Sequence, residues 1–148
     1  MPHIQQRVVL KADIDEVWDV LCDVSSFPQR VEPVHEVRIL EKRSQWTISS
    51  WEVELRGSIL KWVEREVRDE GARRVHFEQV EGDLECFQGW WGLEDLGDGR
   101  VVAHGEVDFE IGIPMLKEML DPVASEAISS NVRAILESLG TVEEHAVA

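Results

Sequence analysis

At 148 residues and 43% apolar content, the chain is long enough for one sizeable core and short for two domains. Its formal charge of −15 would repel phosphate backbones and anionic lipid heads, which sets aside nucleic acid and membrane surfaces and points to a small organic ligand. No apolar run reaches the roughly 18 residues of a membrane-spanning helix, and Met1-Pro2-His3-Ile4-Gln5 lacks a signal-peptide pattern, so a cytoplasmic protein without membrane insertion is expected.

The alternation over His3 to Lys11 predicts a first strand, and Asp13 reads as the N-cap of a helix carrying Ile14, Val17, Trp18 and Leu21 at helical spacing. Ser25-Ser26-Phe27-Pro28 starts a second, brief helix that Pro33 closes. From there the pattern is strand after strand: Val37 to Glu41, Gln45 to Leu55, Ser58 to Arg68, Arg74 to Val80, Glu85 to Asp95 and Val101 to Ile111. The breaks are turn chemistry, at Arg56-Gly57, Asp69-Glu70-Gly71, Gly82-Asp83 and Gly97-Asp98-Gly99, so the strands form an antiparallel meander. After Gly112-Ile113-Pro114 the period turns helical, with Leu116, Leu120, Val123, Ala127, Ile128, Ile135 and Leu139 on one stripe ending at Gly140, and with a kink expected at Pro122. The reading is one α+β domain over residues 1–140 and a frayed tail over 141–148. In it a curved seven-stranded antiparallel sheet wraps a long C-terminal helix, with two short helices after the first strand. Such a concave apolar space suits a ligand.

A two-residue loop at Arg56-Gly57 sets Leu55 opposite Ser58, Val53 opposite Leu60 and Trp51 opposite Trp62, each pair on one face. The same parity carries Glu64 and Glu66 onto that face. Phe77 and Gln79 form the inner set of the next strand, followed by Gly89, Trp91 and Leu93. On the last strand Val101, Ala103, Gly105, Val107 and Phe109 face in, with Ala103 and Gly105 leaving room. Six tryptophans and no tyrosine supply large flat faces; Trp51, Trp62 and Trp91 would line one wall, while Trp18, Trp46 and Trp90 lie elsewhere. The tryptophans read equally as core packing. A carboxylate facing an apolar space is costly unless paired, hydrated or protonated, so Glu64 and Glu66 are the candidate acid/base groups, unless Arg68 or Lys61 neutralises them at an open strand end. Asn131 interrupts the helix stripe beside Ala127, either to meet a ligand or to cap a loop. Cys22 and Cys86 lie far apart and read as reduced, buried and structural; the five histidines show no metal spacing, and neither metal nor cofactor is expected.

The element order over almost the whole chain resembles the START-like helix-grip superfamily, often called SRPBCC. The run Asp13-Ile14-Asp15-Glu16-Val17-Trp18, the Phe27-Pro28 step, the Trp51 and Trp62 hairpin, Gly82 with Trp91, and Gly112-Ile113-Pro114 before the Asn131 helix are similar to its bacterial polyketide aromatase/cyclase and coenzyme-Q-binding branch. That resemblance implies aldol cyclisation and dehydration of a poly-β-ketone delivered on an acyl carrier protein, with Trp62, Trp91 and Asn131 at pocket positions. Two positions depart from it: Glu66 stands where that branch places an inward Arg, and Val34 where it has a pocket Tyr. Cyclisation here would therefore have to run through Glu64 or Glu66. An acidic carrier protein could dock only at a local basic patch such as Arg68 with Arg73 and Arg74. The alternatives are a non-catalytic carrier for a quinone, lipid or aromatic metabolite, and a protein-interaction module, in each case as a monomer or weak dimer.

Overall fold

The computed structural model describes residues 3–110 and 121–143. Strand β1 (His3–Lys11) leads into α1 (Ile14–Cys22), a 3-10 turn at Val24–Ser26 and the one-turn helix α2 (Phe27–Arg30). There follow β2 (Val34–Lys42), β3 (Trp46–Leu55), β4 (Ser58–Asp69), β5 (Arg74–Gly82), β6 (Cys86–Gly97) and β7 (Arg100–Glu110), then α3 (Asp121–Glu137) and β8 (Thr141–Val142). The Asp13 carboxylate accepts from the backbone N–H groups of Asp15 and Glu16, capping α1 as its sequence predicts. Val17, Trp18 and Leu21 are the buried face of that helix.

All pairings are antiparallel, in the order β2-β3-β4-β5-β6-β7-β1-β8. The sheet thus has eight strands where the sequence suggests seven. The added one comes from the segment expected to fray: Thr141 and Val142 pair with Lys11 and Leu10, and the Glu143 N–H donates to the Val9 carbonyl at 2.9 Å. The chain leaves α3 close to β1, where a Cβ on Gly140 would lie 3.3 Å from the Ala12 methyl, and then runs along the edge of that strand.

Helix α3 packs mainly on β1 and β7, and more lightly on β3. Ala127, Ile128, Ile135 and Leu139 are buried as the stripe predicts, and Val132 and Leu136 complete it. The expected helix residues Leu116 and Leu120 lie outside the described residues, and Pro122 is the second residue of α3. Polar ties through Gln6 fix the helix to β1. The Arg133 guanidinium donates to Gln6 Oε1 at 3.2 Å, and the Gln6 amide donates to Ser129 Oγ.

Gly89, assigned from the sequence to the ligand wall, acts instead as a spacer between strands. A Cβ there would lie 2.0 Å from the Glu106 carbonyl oxygen on β7 and 2.9 Å from the Phe77 ring. Gly89→Ala is therefore expected to lower stability by about 1–3 kcal/mol, the usual cost of overpacking, read as a fall in the urea midpoint at unchanged m-value.

Candidate functional site

The site is built on the β3-β4 hairpin. Arg56 and Gly57 take φ of 53° and 84°, the geometry of a two-residue primed turn, and the register is Leu55 with Ser58, Val53 with Leu60, and Trp51 with Trp62. Those two indoles stack at 5.9 Å with planes 7° apart. The aromatic wall then runs through Phe87, 5.0 Å from Trp62, to Phe77, and on to Trp91, 5.6 Å from Phe77. Between β4 and β5 the ladder carries a bulge, with Val63 opposite Glu81 but Glu64 opposite Gln79. Gly82 fits beside it because a Cβ would sit 2.4 Å from the Trp62 Cβ.

Under α3 these elements enclose an almost wholly apolar cavity of about 60 Å³. Of the residues assigned to a ligand wall from the sequence, Val34, Trp51, Val53, Leu60, Trp62, Phe77, Trp91 and Asn131 line it. The cavity is far smaller than the roughly 300–1,000 Å³ of common ligand sites, because the aromatic rings fill the concave face. Gly105 shows how: the room left by its missing side chain is taken by Trp91, whose ring a Cβ would meet at 2.7 Å. Ala103, Phe109 and Ala127 are buried in the core outside the cavity lining. Gln79 likewise turns away, its amide donating to the Leu84 carbonyl at 2.7 Å. Asn131 reaches the cavity edge while its amide N–H donates to the Glu54 carbonyl at 3.2 Å, joining α3 to the end of β3.

Sequence reading missed Phe87, Leu84 and Val132 in the lining. The parity of Trp91 and Gly89 on β6 would have marked Phe87. Leu84 sits in a turn, where alternation gives no signal.

One ionisable group lines the cavity among the described residues, Glu64. Both Glu64 and Glu66 are buried, at 4% and 3% exposure, so the strand end does not open to water. Trp62 Nε1–H donates to Glu64 Oε1 at 2.8 Å. Trp51 Nε1–H donates to Ser49 Oγ at 2.8 Å, and the Ser49 hydroxyl donates to Glu66 Oε2 at 2.6 Å. Glu66 Oε1 is buried without a hydrogen-bond partner. The two carboxyls lie close enough to interact, although no contact of good hydrogen-bond geometry joins them. Burial, reinforced by the neighbouring Glu66 charge, holds the Glu64 carboxyl well above the ordinary carboxylate range, against the opposing effect of the Trp62 N–H.

Neither expected cation neutralises the pair. Arg68 donates to Thr47 Oγ1 and to the Arg43 carbonyl, and Lys61 pairs with Glu52. The expected basic patch is also largely engaged within the chain: Arg73 pairs with Asp15 and lies over Trp18, and Arg74 lies 3.8 Å over Trp90. Cys22 and Cys86 are unbridged and half-buried, with burial pushing the Cys22 thiol up to about 11. Among the described residues no group of three or more His, Cys, Asp or Glu could hold a metal ion, and no helix is long and apolar enough to cross a membrane.

A long amphipathic helix closing an antiparallel sheet over an apolar cavity defines a helix-grip domain built around a hydrophobic small-molecule site. The family model described as "Polyketide cyclase / dehydrase and lipid transport" matches residues 10–136, and the chain belongs to that family. Among solved structures it is similar to a protein of Thermus thermophilus, at 21% identity and a TM-score of 0.86 over 93% of this chain and 94% of that one. It is also similar to the Zhui aromatase/cyclase from a Streptomyces species, at 24% identity and a TM-score of 0.79 over 93% of each chain. A START superfamily protein from Mycobacterium smegmatis aligns at 15% identity and a TM-score of 0.73, over 93% of this chain and 98% of that one. A search of curated protein sequences finds no match. At these identities the structural neighbours establish the fold.

Proposed function

We propose that this protein is a cyclase/dehydrase acting on a hydrophobic, polyketide-like ketone, with Glu64 as its acid/base group. The observation that carries this reading is the buried Glu64–Glu66 pair: a cavity walled by tryptophans and phenylalanines has one ionisable group in its lining among the described residues, and burial and a neighbouring carboxylate raise that group's hold on its proton. A store or carrier for apolar molecules has no need of so costly a feature. The pair can take a proton from the attacking α-carbon and give one to the accepting carbonyl oxygen as the carbon–carbon bond forms. In dehydration it can take the second proton from that same carbon and protonate the departing hydroxyl, which leaves as water, so each step returns the pair to its starting state. An acyl carrier protein as delivering partner belongs to this reading. Of the three arginines in its suggested docking patch, only Arg74 makes no ion pair or hydrogen bond among the described residues.

Binding is tested first. An uncharged flat ketone such as 1-tetralone is expected to quench tryptophan emission saturably, since its entry must move rings that now touch. Val132→Phe, which fills the space under α3, should weaken that binding at least tenfold while costing about 1–3 kcal/mol of stability. Failure of every apolar ligand to saturate would dismiss the cavity as a binding site.

A further inference from the structure

We propose that Ser49 is a positioning residue which, backed by Trp51, fixes Glu66 as the ionised member of the pair, so that Glu64 alone presents a proton to the cavity and the site selects uncharged hydrogen-bond acceptors over carboxylates. The direction of each hydrogen bond leads there. An indole N–H can only donate, so Trp51 commits the Ser49 oxygen to accepting. Ser49 is fully buried, and its single hydroxyl hydrogen has one acceptor, Glu66 Oε2. Turning this bond round would leave that hydrogen buried and unpaired, and a proton carried instead on Glu66 Oε1 would find no acceptor, since that oxygen is buried without a partner. Its 2.6 Å length falls in the range of O–H donors to an ionised carboxylate, and the Trp51–Ser49–Glu66 chain polarises each link toward the anion. Glu64 receives one neutral N–H, from Trp62, and is the carboxyl that lines the cavity.

The neighbours of the pair among the described residues agree. Thr47 and Ser49 lie opposite it on β3 and Phe77 and Gln79 on β5, with Asn131 of α3 lining the same cavity, none of them charged. Arg68, next on the same face of β4, directs its guanidinium to Thr47 and the Arg43 carbonyl. With one negative charge already fixed behind Glu64, a ligand carboxylate entering the cavity would meet repulsion and, among the described residues, no cation. A carbonyl oxygen would meet an O–H donor.

The test has two arms, and the ligand arm rests on the cavity reading above whereas the titration arm does not. In a carbon-13 carboxyl NMR titration, assigned with Glu64→Gln and Glu66→Gln, the pair should release its first proton from Glu66 and its second, at higher pH, from Glu64. Ser49→Ala should raise the lower midpoint by about one to two pH units, and Ser49→Thr should restore it. Trp51→Phe should shift it the same way by less, and serves if Ser49→Ala fails to fold. A lower midpoint unmoved by these changes, or one belonging to Glu64, would overturn the assignment. In the second arm acetophenone is expected to bind at least tenfold more tightly than benzoate of similar size at neutral pH, with the gap narrowing in Glu66→Gln. Equal binding of the two overturns the selectivity. Binding of neither sinks the cavity reading instead, and the titration then decides the place of the proton.

Discussion

Glu64→Gln should abolish a fall in stability that the parent shows as pH rises, and should cost roughly 10²-fold or more in turnover. The folded Glu64 carboxyl is raised above its ordinary value, so the folded protein keeps a proton that the unfolded chain has released. Its contribution to stability is therefore complete below the ordinary Glu range near pH 4 and is lost as pH climbs through the folded value, with a slope of at most about 1.4 kcal/mol per pH unit. Gln keeps the size, cannot ionise, and can still accept from the Trp62 N–H through its amide oxygen. Urea midpoints taken across that window should slope in the parent and lie flat in the variant, which should be the more stable at the alkaline end. The catalytic half is read with a thioester polyketide mimic, free and carrier-tethered, beside a calorimetric titration of an apolar ligand. Unchanged binding with lost turnover fits the acid/base role. Full activity in Glu64→Gln would dismiss it, and a parent inactive on every such mimic would favour the carrier.

Leu136→Ala is expected to cost about 2–5 kcal/mol, since Leu136 has no exposed surface and sits where α3 closes the sheet. Ile135→Ala should cost less within that range, because Ile135 already borders the cavity and loses fewer neighbours. Denaturation curves read both. Parent-like melting of Leu136→Ala would mean that α3 does not pack there.

Much of the fold is legible in the residues because its determinants are local. Asp13 caps α1, Arg56-Gly57 sets a two-residue turn, and the turn fixes which side chains share a face, so the Trp51–Trp62 pairing and the inward placement of Glu64 and Glu66 follow from parity alone. Parity stops at the first irregularity. The bulge between β4 and β5 leaves Val80 outside the regular pairing, and Gln79, inward by count, hydrogen-bonds to a neighbouring turn. The strand at Thr141–Val142 was hidden because two residues carry no periodicity and their pairing depends on where α3 delivers the chain.

Alternation also says nothing of volume. It marks Ala103 and Gly105 as places with room, but whether that room is empty depends on side chains from other strands, and Trp91 occupies the space over Gly105. Charge balance is decided the same way. The sequence places Arg68 and Lys61 near two buried carboxylates, while only the packed structure shows both cations engaged elsewhere and Ser49 and Trp51 supplying the donors. The sequence by itself thus determined the order of elements as far as α3, the faces of most strands and the inward carboxyls, because each rests on short-range spacing. Only the tertiary structure decided how large the cavity is, which carboxyl meets it and what partners each acid keeps, because burial and hydrogen-bond direction are set by residues distant along the chain.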